Sequence, residues 1–222
     1  MNDFPTLSID EPASTVDRVA DELRRALFDG ELESGTPLRE QALAGSLGVA
    51  RSTVREALTT LVAEGLANRA PNRGVVVASP TPETVRDVCA SRFVLEGAGV
   101  RNWRAASPAA RRAVHESLSA YIGAVRTEAS YQELNERHLA FHVSLVGLTG
   151  STRLVAMEEQ LVIELKLALA QVDRIRRNAH EQAESHADLV ALLDRGDVEG
   201  AHAFLDKHLT DAADAIVDAL EL

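Results

Sequence analysis

The 222-residue chain has one cysteine, Cys89, two lysines, Lys166 and Lys207, and few aromatic residues, 4% of the total. Each scarcity excludes something. A lone cysteine rules out an internal disulfide and fits a reducing, cytoplasmic setting. So few aromatic rings argue against a binder of single strands that stacks bases on its side chains. No apolar run approaches the roughly 20 residues that cross a bilayer. The N-terminus also lacks the basic-then-apolar pattern of a secretory signal, so no membrane association is expected. Neither an HExxH pattern nor a motif-supported Ser-His-Asp or Cys-His order occurs, and an enzyme is not expected.

Hydrophobic residues make up 45% of the chain, enough for a real core, and the formal net charge is -11. That charge looks hostile to DNA, which is bound by neutralising phosphates. Its distribution softens the objection. Between Thr36 and Pro80 stand Arg39, Arg51, Arg55, Arg69 and Arg73 against Glu40, Glu56 and Glu64. Binding there needs a local basic face on an acidic body.

Residues 1–13 carry two prolines and no periodicity, and are expected to form a flexible arm. Val16, Val19, Ala20, Leu23 and Leu27 then recur at helical spacing, with Ser14 as cap and Gly30 as stop. A short amphipathic segment, Glu40 to Leu47, precedes a turn at Gly48. The next helix has two unlike faces: Val54, Ala57, Leu58, Leu61 and Val62 on one, Arg51, Ser52 and Arg55 on another. This is a helix-turn-helix pattern, whose second helix offers its first residues to base edges in the major groove. An ordinary helical hairpin with solvated arginines would carry the same pattern. Leu66 to Ala78, with a turn-rich Asn68–Gly74 and a β-branched Val75–Val77, reads as a small hairpin, the wing of a winged helix. Arg73 and Gly74 occupy its tip.

Ser79-Pro-Thr-Pro82 interrupts both periodicities and marks the expected boundary, with a winged helix-turn-helix domain at 14–79 and an all-helical domain at 80–222. Helices are expected near 82–105, 108–127, 130–148, 151–177, 179–195 and 197–220. The fold class is therefore mainly α: an N-terminal winged helix-turn-helix with a small β wing, then an antiparallel six-helix bundle.

Four histidines fall on inward faces of that bundle. His138 and His142 are four apart and share a helix face. His186 lies ten residues before Gly196 and His208 twelve after it. At about 1.5 Å per residue the two sit roughly 15 and 18 Å from the turn, at nearly one level. Converging imidazoles form a natural transition-metal site; packed core histidines are the alternative. His115, His180 and His202 lack such partners and are expected at the surface.

Residues 16 to 78 resemble the DNA-binding domain of the GntR family of bacterial transcription regulators. The resemblance rests on Val19-Ala-Asp-Glu-Leu23, Gly30-Glu-Leu32, Leu38-Arg-Glu40, Leu47-Gly-Val49, Arg51, Val54-Arg-Glu-Ala-Leu58, Glu64-Gly-Leu66 and Asn72-Arg-Gly74. It implies DNA contacts from Arg51, Ser52, Thr53 and Arg55, assisted by Arg39, Arg73 and Gly74. Ala50 departs from the family, which often carries Ser or Thr there.

The remainder resembles the FCD ligand-binding domain of the FadR-like branch of that family. Arg92-Phe-Val-Leu-Glu96, Phe141-His142, Glu184-Ser-His186, Gly196-Asp197 and His208-Leu209 carry this resemblance. It implies a divalent metal on His142, His186 and His208, with His138 standing where the family usually has Asp. An all-imidazole set favours zinc, with nickel or copper as alternatives, over manganese. Arg92 is a candidate for binding an anionic effector or for pairing with Glu96. The expected function is that of a regulator, a repressor by default, binding a palindromic double-stranded operator as a homodimer under control of a small carboxylate effector. Structural histidines without metal, or a histidine-rich metalloenzyme, are the competing readings.

Overall fold

The structure is a computed structural model describing residues 14–176 and 179–220, with side chains for 14–169 and 179–219. The arm expected at residues 1–13 lies outside the described residues. Among the described residues are nine helices and one two-stranded antiparallel sheet.

Helix α1 (Thr15–Phe28) begins where the Ser14 hydroxyl accepts the Asp17 amide and the Asp17 carboxylate accepts the Ser14 amide, at 3.2 and 3.0 Å. This reciprocal cap satisfies two of the orphan donors at a helix start. Helix α1 packs across α3 (Arg51–Ala63) through Val19, Ala20, Leu23 and Leu27 against Val54, Ala57, Leu58 and Leu61. Arg24 forks onto Glu64 at 2.8 and 2.6 Å and ties α1 to the end of α3. Helix α2 (Glu40–Leu47) ends at Gly48, whose φ of 66° is the left-handed cap that lets the chain turn into α3.

The wing is β1 (Ala67–Ala70) paired with β2 (Gly74–Val77). Its strands run further toward the tip than the sequence suggests, since Asn68 and Arg69 pair with Val76 and Val75 rather than forming the turn. Polar residues on an exposed strand carry no alternation to reveal them. The turn is Pro71 to Arg73, with Asn72 at φ 60°. Residues 36–38 also join the sheet edge: the Leu38 amide donates to the Val75 carbonyl and the Val77 amide to the Thr36 carbonyl, at 2.8 and 2.9 Å. Pro37, bridging Val76, hid that contribution from sequence reading.

The remaining helices are α4 (Pro82–Arg101), α5 (Pro108–Arg126), α6 (Tyr131–Gly147), α7 (Thr152–Arg176), α8 (Ala179–Asp194) and α9 (Val198–Leu220). Thr81 caps α4 and Pro82 fills its first position. Helix α4 ends at Arg101, short of the expected 105. There the Asn102 side chain donates to the Leu148 carbonyl at 2.6 Å and Trp103 turns into the core. Phe141, Leu145, Leu189, Leu193 and Leu205 fill the bundle centre. The α4–α6 crossing is close because residue 99 is glycine: a Cβ there would meet the Leu145 carbonyl oxygen at 1.9 Å.

Helix α7 also reaches back to the winged helix. Leu167 is buried in the N-terminal core, and Gly65 (φ 70°) packs so closely on α7 that a Cβ would lie 2.0 Å from Ile163 Cγ2. The two halves of the chain are thus in close contact along one helix.

Candidate metal centre and nucleic-acid interface

The first turns of α3 are exposed and basic. Arg51, Ser52 and Arg55 face solvent, and Thr53 is half-buried. The Arg55 guanidinium is occupied by an unexpected partner. Its Nε and Nη2 donate to the two carboxylate oxygens of Glu40 at 2.9 and 2.8 Å, and Arg51 Nη2 lies 3.8 Å from the same carboxylate. Hydrogen bonds from Arg55 hold the Glu40 carboxyl below the usual carboxylate range. Arg39 is exposed at the N-terminal cap of α2, and Arg73 and Gly74 are exposed at the wing tip. Arg69, in β1, donates to Thr59 Oγ1 at 3.3 Å and braces the wing against α3. Ala50 caps α3 without any side-chain hydrogen bond.

Inside the bundle the structure brings His138, His142, His186 and His208 together, from α6, α8 and α9. One ligand nitrogen from each lies within 4.8 Å of all the others. His142 Nε2 is 3.2 Å from His138 Nε2 and 3.1 Å from His186 Nε2. The His186 and His208 ring centroids are 4.7 Å apart, as the distances from the Gly196 turn require. Two tautomers are set from behind. His186 Nδ1 donates to the Gln182 carbonyl, which leaves its Nε2 as a lone pair when the ring is neutral. His142 Nδ1 sits 2.7 Å from Glu96 Oε2, the carboxylate–histidine arrangement typical of metal ligands.

Four imidazoles are a donor set that suits a tetrahedral ion. With metal–nitrogen bonds of about 2.0–2.1 Å, neighbouring ligand nitrogens sit about 3.3 Å apart, close to the two separations from His142 Nε2, while the whole set lies within 4.8 Å. Burial removes the competing proton: it pushes His138 down to about 3 and His208 to about 4, and takes His142 and His186 well below the ordinary value. All four are neutral near pH 7, the form that ligates.

Beside the histidines lies a buried ion network. Arg92, 2% exposed, donates from Nε to Glu158 Oε1 at 3.1 Å, and its Nη2 stands 2.9 Å from Glu96 Oε1. That second contact lacks hydrogen-bond geometry, so Nη2 retains a donor. Burial pushes both Glu96 and Glu158 up against the opposing pull of Arg92. Arg92, His138, His142 and His208 all line one cavity of about 20 Å³, room for a single water or ion. Sequence reasoning missed Glu158, since nothing in Glu158-Glu159 says which carboxylate faces inward. Of the histidines expected at the surface, His115 pairs with Asp194 at 3.2 Å and His180 is exposed. His202 is instead half-buried against the Phe93 ring, with centroids 4.8 Å apart.

Comparison with known proteins matches residues 15–77 to the bacterial regulatory proteins of the gntR family and residues 87–211 to the FCD domain. Among curated relatives, the gluconate operon transcriptional repressor of Bacillus licheniformis is 42% identical over 84 residues. That alignment spans 38% of this chain and only 34% of the repressor. The Nta operon transcriptional regulator of Aminobacter aminovorans is 27% identical over 192 residues, 84% of this chain and 87% of that protein. A crystal structure from Rhodococcus sp. RHA1, assigned as a GntR transcriptional regulator, superposes with a TM-score of 0.71 at 28% identity. It covers 91% of this chain and 97% of that one. These families and relatives are transcription regulators, not enzymes, and no described helix is long and apolar enough to cross a membrane. With the FCD match alone spanning more than half of the residues, the chain belongs to the GntR family of bacterial regulatory proteins, in the branch that carries an FCD domain.

Proposed function

We propose that this protein is a repressor that binds a palindromic operator as a homodimer through α3 and the wing, and is controlled at the histidine centre by a divalent transition metal and a small carboxylate. The observation that carries the reading is the convergence of four neutral imidazoles in one buried centre. His138, His142, His186 and His208 hold the ion, zinc by preference given an all-nitrogen set. When bound, the ion supplies a positive charge and an expandable coordination sphere for an anion. Arg92 Nη2, buried at the same small cavity with a donor to spare, meets the other end of the carboxylate. The cavity admits no organic acid as it stands, so effector entry must move a neighbouring element.

Helix α7 is the element that links both parts. It carries Glu158 at the ion network, Leu169 at the cavity wall, and Ile163 and Leu167 under the winged helix. Displacement of α7 by the effector shifts the winged helices of a dimer relative to each other, and with them the half-site spacing they can read. At the DNA, Arg51, Ser52, Thr53 and Arg55 read or clamp the major groove, with Arg39, Arg73 and Gly74 at its borders. The linker around Ser79–Pro82 divides the reading unit, 14–79, from the effector unit, 80–222.

The test is metal content of tag-free protein after exhaustive dialysis, with operator binding titrated against zinc and then against a panel of small carboxylates. One ion per subunit, and a carboxylate that weakens operator binding only in the loaded protein, is the expected result. No retained metal together with a normal carboxylate response sinks the metal reading and leaves the histidines as core packing.

A further inference from the structure

The ion network beside the histidines holds more carboxylate than its one cation can pair. Glu96 and Glu158 share the Arg92 guanidinium, and all three side chains are buried. The Nε–Nη2 edge of an arginine is shaped to grip one carboxylate with two parallel hydrogen bonds. On Arg92 that edge is divided instead. Nε donates to Glu158 Oε1 at 3.1 Å, while Nη2 stands 2.9 Å from Glu96 Oε1 without hydrogen-bond geometry. Glu158 Oε2 has no hydrogen-bond partner among the described residues.

The two carboxylates are not held equally. Glu96 lies one turn from Arg92 on α4, and its Oε2 is anchored 2.7 Å from His142 Nδ1. Glu158 reaches Arg92 from α7 with one hydrogen bond. A carboxylate that takes both Nε and Nη2 makes two bonds where Glu158 makes one, so Glu158 is the group it replaces. That edge then has no donor left for Glu158, and a buried carboxylate without a partner is costly. A way out is close, since its chain neighbours Met157 and Glu159 are exposed. Successive residues stand about 100° apart around a helix axis, so a partial rotation of α7 brings Glu158 to water.

The same rotation is felt at the winged helix. Ile163 is five residues further along α7, about 7.5 Å, and packs on Gly65 with no room for a Cβ. Gly65 follows α3 by two residues, and Leu167 is buried in the N-terminal core. Helix α7 cannot turn at Glu158 without pushing on both contacts. We propose that Glu158 is a built-in stand-in for the effector's carboxylate, a latch that holds α7 on Arg92 until an incoming carboxylate takes the Nε–Nη2 edge and expels it. The effector must therefore carry a free carboxylate, because an ester or amide brings no charge to take the place of Glu158.

The inference rests on the reading of a carboxylate effector at Arg92 and adds what that effector displaces. Calorimetric titration of the full chain, with and without added zinc, tests it with acetate, butyrate, benzoate and succinate as probes. Operator affinity is measured in parallel with each probe. Glu158→Gln keeps the size of the side chain and an acceptor for Arg92 Nε but removes the charge. Carboxylate binding should tighten at least tenfold, while the loss of operator affinity caused by the bound carboxylate should shrink at least threefold. Lost packing alone would weaken binding and coupling together. Glu158→Asp, which withdraws the charge from Arg92 by one methylene, should also tighten binding and serves if the glutamine variant fails to fold. Glu159→Gln, the same charge change at the exposed neighbour, should behave as wild type. A probe that binds the Glu158 variants but not wild type supports the latch. Equal or weaker binding by the variants of a probe that wild type binds overturns the latch and spares the carboxylate reading. Tighter binding with undiminished coupling overturns the hold of Glu158 on α7. No binding of any probe by wild type or variants overturns both the latch and the carboxylate reading.

Discussion

The exposed face of α3 proposed to read DNA and the histidine centre both concentrate charge or potential charge, but they treat it in opposite ways. On α3, Arg55 is exposed and its counter-ion, Glu40, is on a neighbouring helix and also partly in solvent. Such a solvated pair adds little to stability and exchanges readily for a phosphate. In the bundle, Arg92, Glu96, Glu158 and the imidazoles of His138, His142 and His186 are removed from water. There each group has been desolvated, and breaking one partnership leaves a costly orphan. The difference suits the parts proposed for them: an accessible face whose partners can be traded for DNA, and a buried centre whose geometry changes only when a ligand or a helix moves.

The largest effect that would sharpen this contrast is at the centre. His186→Ala removes the imidazole that abuts both His142 and His208, and metal should fall from one ion per subunit to near zero by elemental analysis. Basal operator binding should survive, because α3 is untouched. Retention of the ion in the variant would place the site elsewhere. His138→Asp, which puts in the ligand usual to the family, should instead keep the site and shift preference from zinc toward manganese in competition dialysis.

Next comes the junction. Gly65→Ala imposes a left-handed backbone on a residue with a side chain, about 1–2 kcal/mol, and drives its Cβ into Ile163. A lower melting temperature and an altered coupling between effector and operator should follow. If melting and coupling are both unchanged, α7 is not the link between the two regions.

Arg51→Ala should cost about 1–3 kcal/mol of operator affinity, concentrated at one base position. A footprint and affinity equal to wild type would remove the start of α3 from the reading surface. The smallest effect is at Glu40. Glu40→Gln releases Arg55 and deletes a negative charge facing the phosphates, so affinity for non-specific DNA should rise a few-fold, with a steeper salt dependence. Unchanged affinity and salt dependence would mean that Arg55 takes up no phosphate even when freed, so that this pair is not traded for DNA.

Much of this molecule is open to a reader of one sequence because its signals are local. The capping of α1 by Ser14, the Gly48 turn, the proline at the start of α4 and the spacing of Leu58 from Leu61 depend on neighbours within a turn or two. Even the histidine cluster is half local: His138 and His142 share a face, and a tight turn at Gly196 levels His186 with His208. What escaped depends on long-range approach. Glu40 reaches Arg55 across a helix turn, residues 36–38 complete an edge begun by Val75, and Glu158 rather than Glu159 turns inward to Arg92.

The sequence by itself determined the helices, the winged reading head and the four imidazoles, since periodicity, caps and turn length act over a few residues of chain. Only the tertiary structure decided that α7 serves both the ion network and the winged helix. The same packing decided that Val94 and Met157 stay uncovered. Helical periodicity shows that a face is apolar, but whether a neighbour in the same chain covers it depends on how six helices share one core.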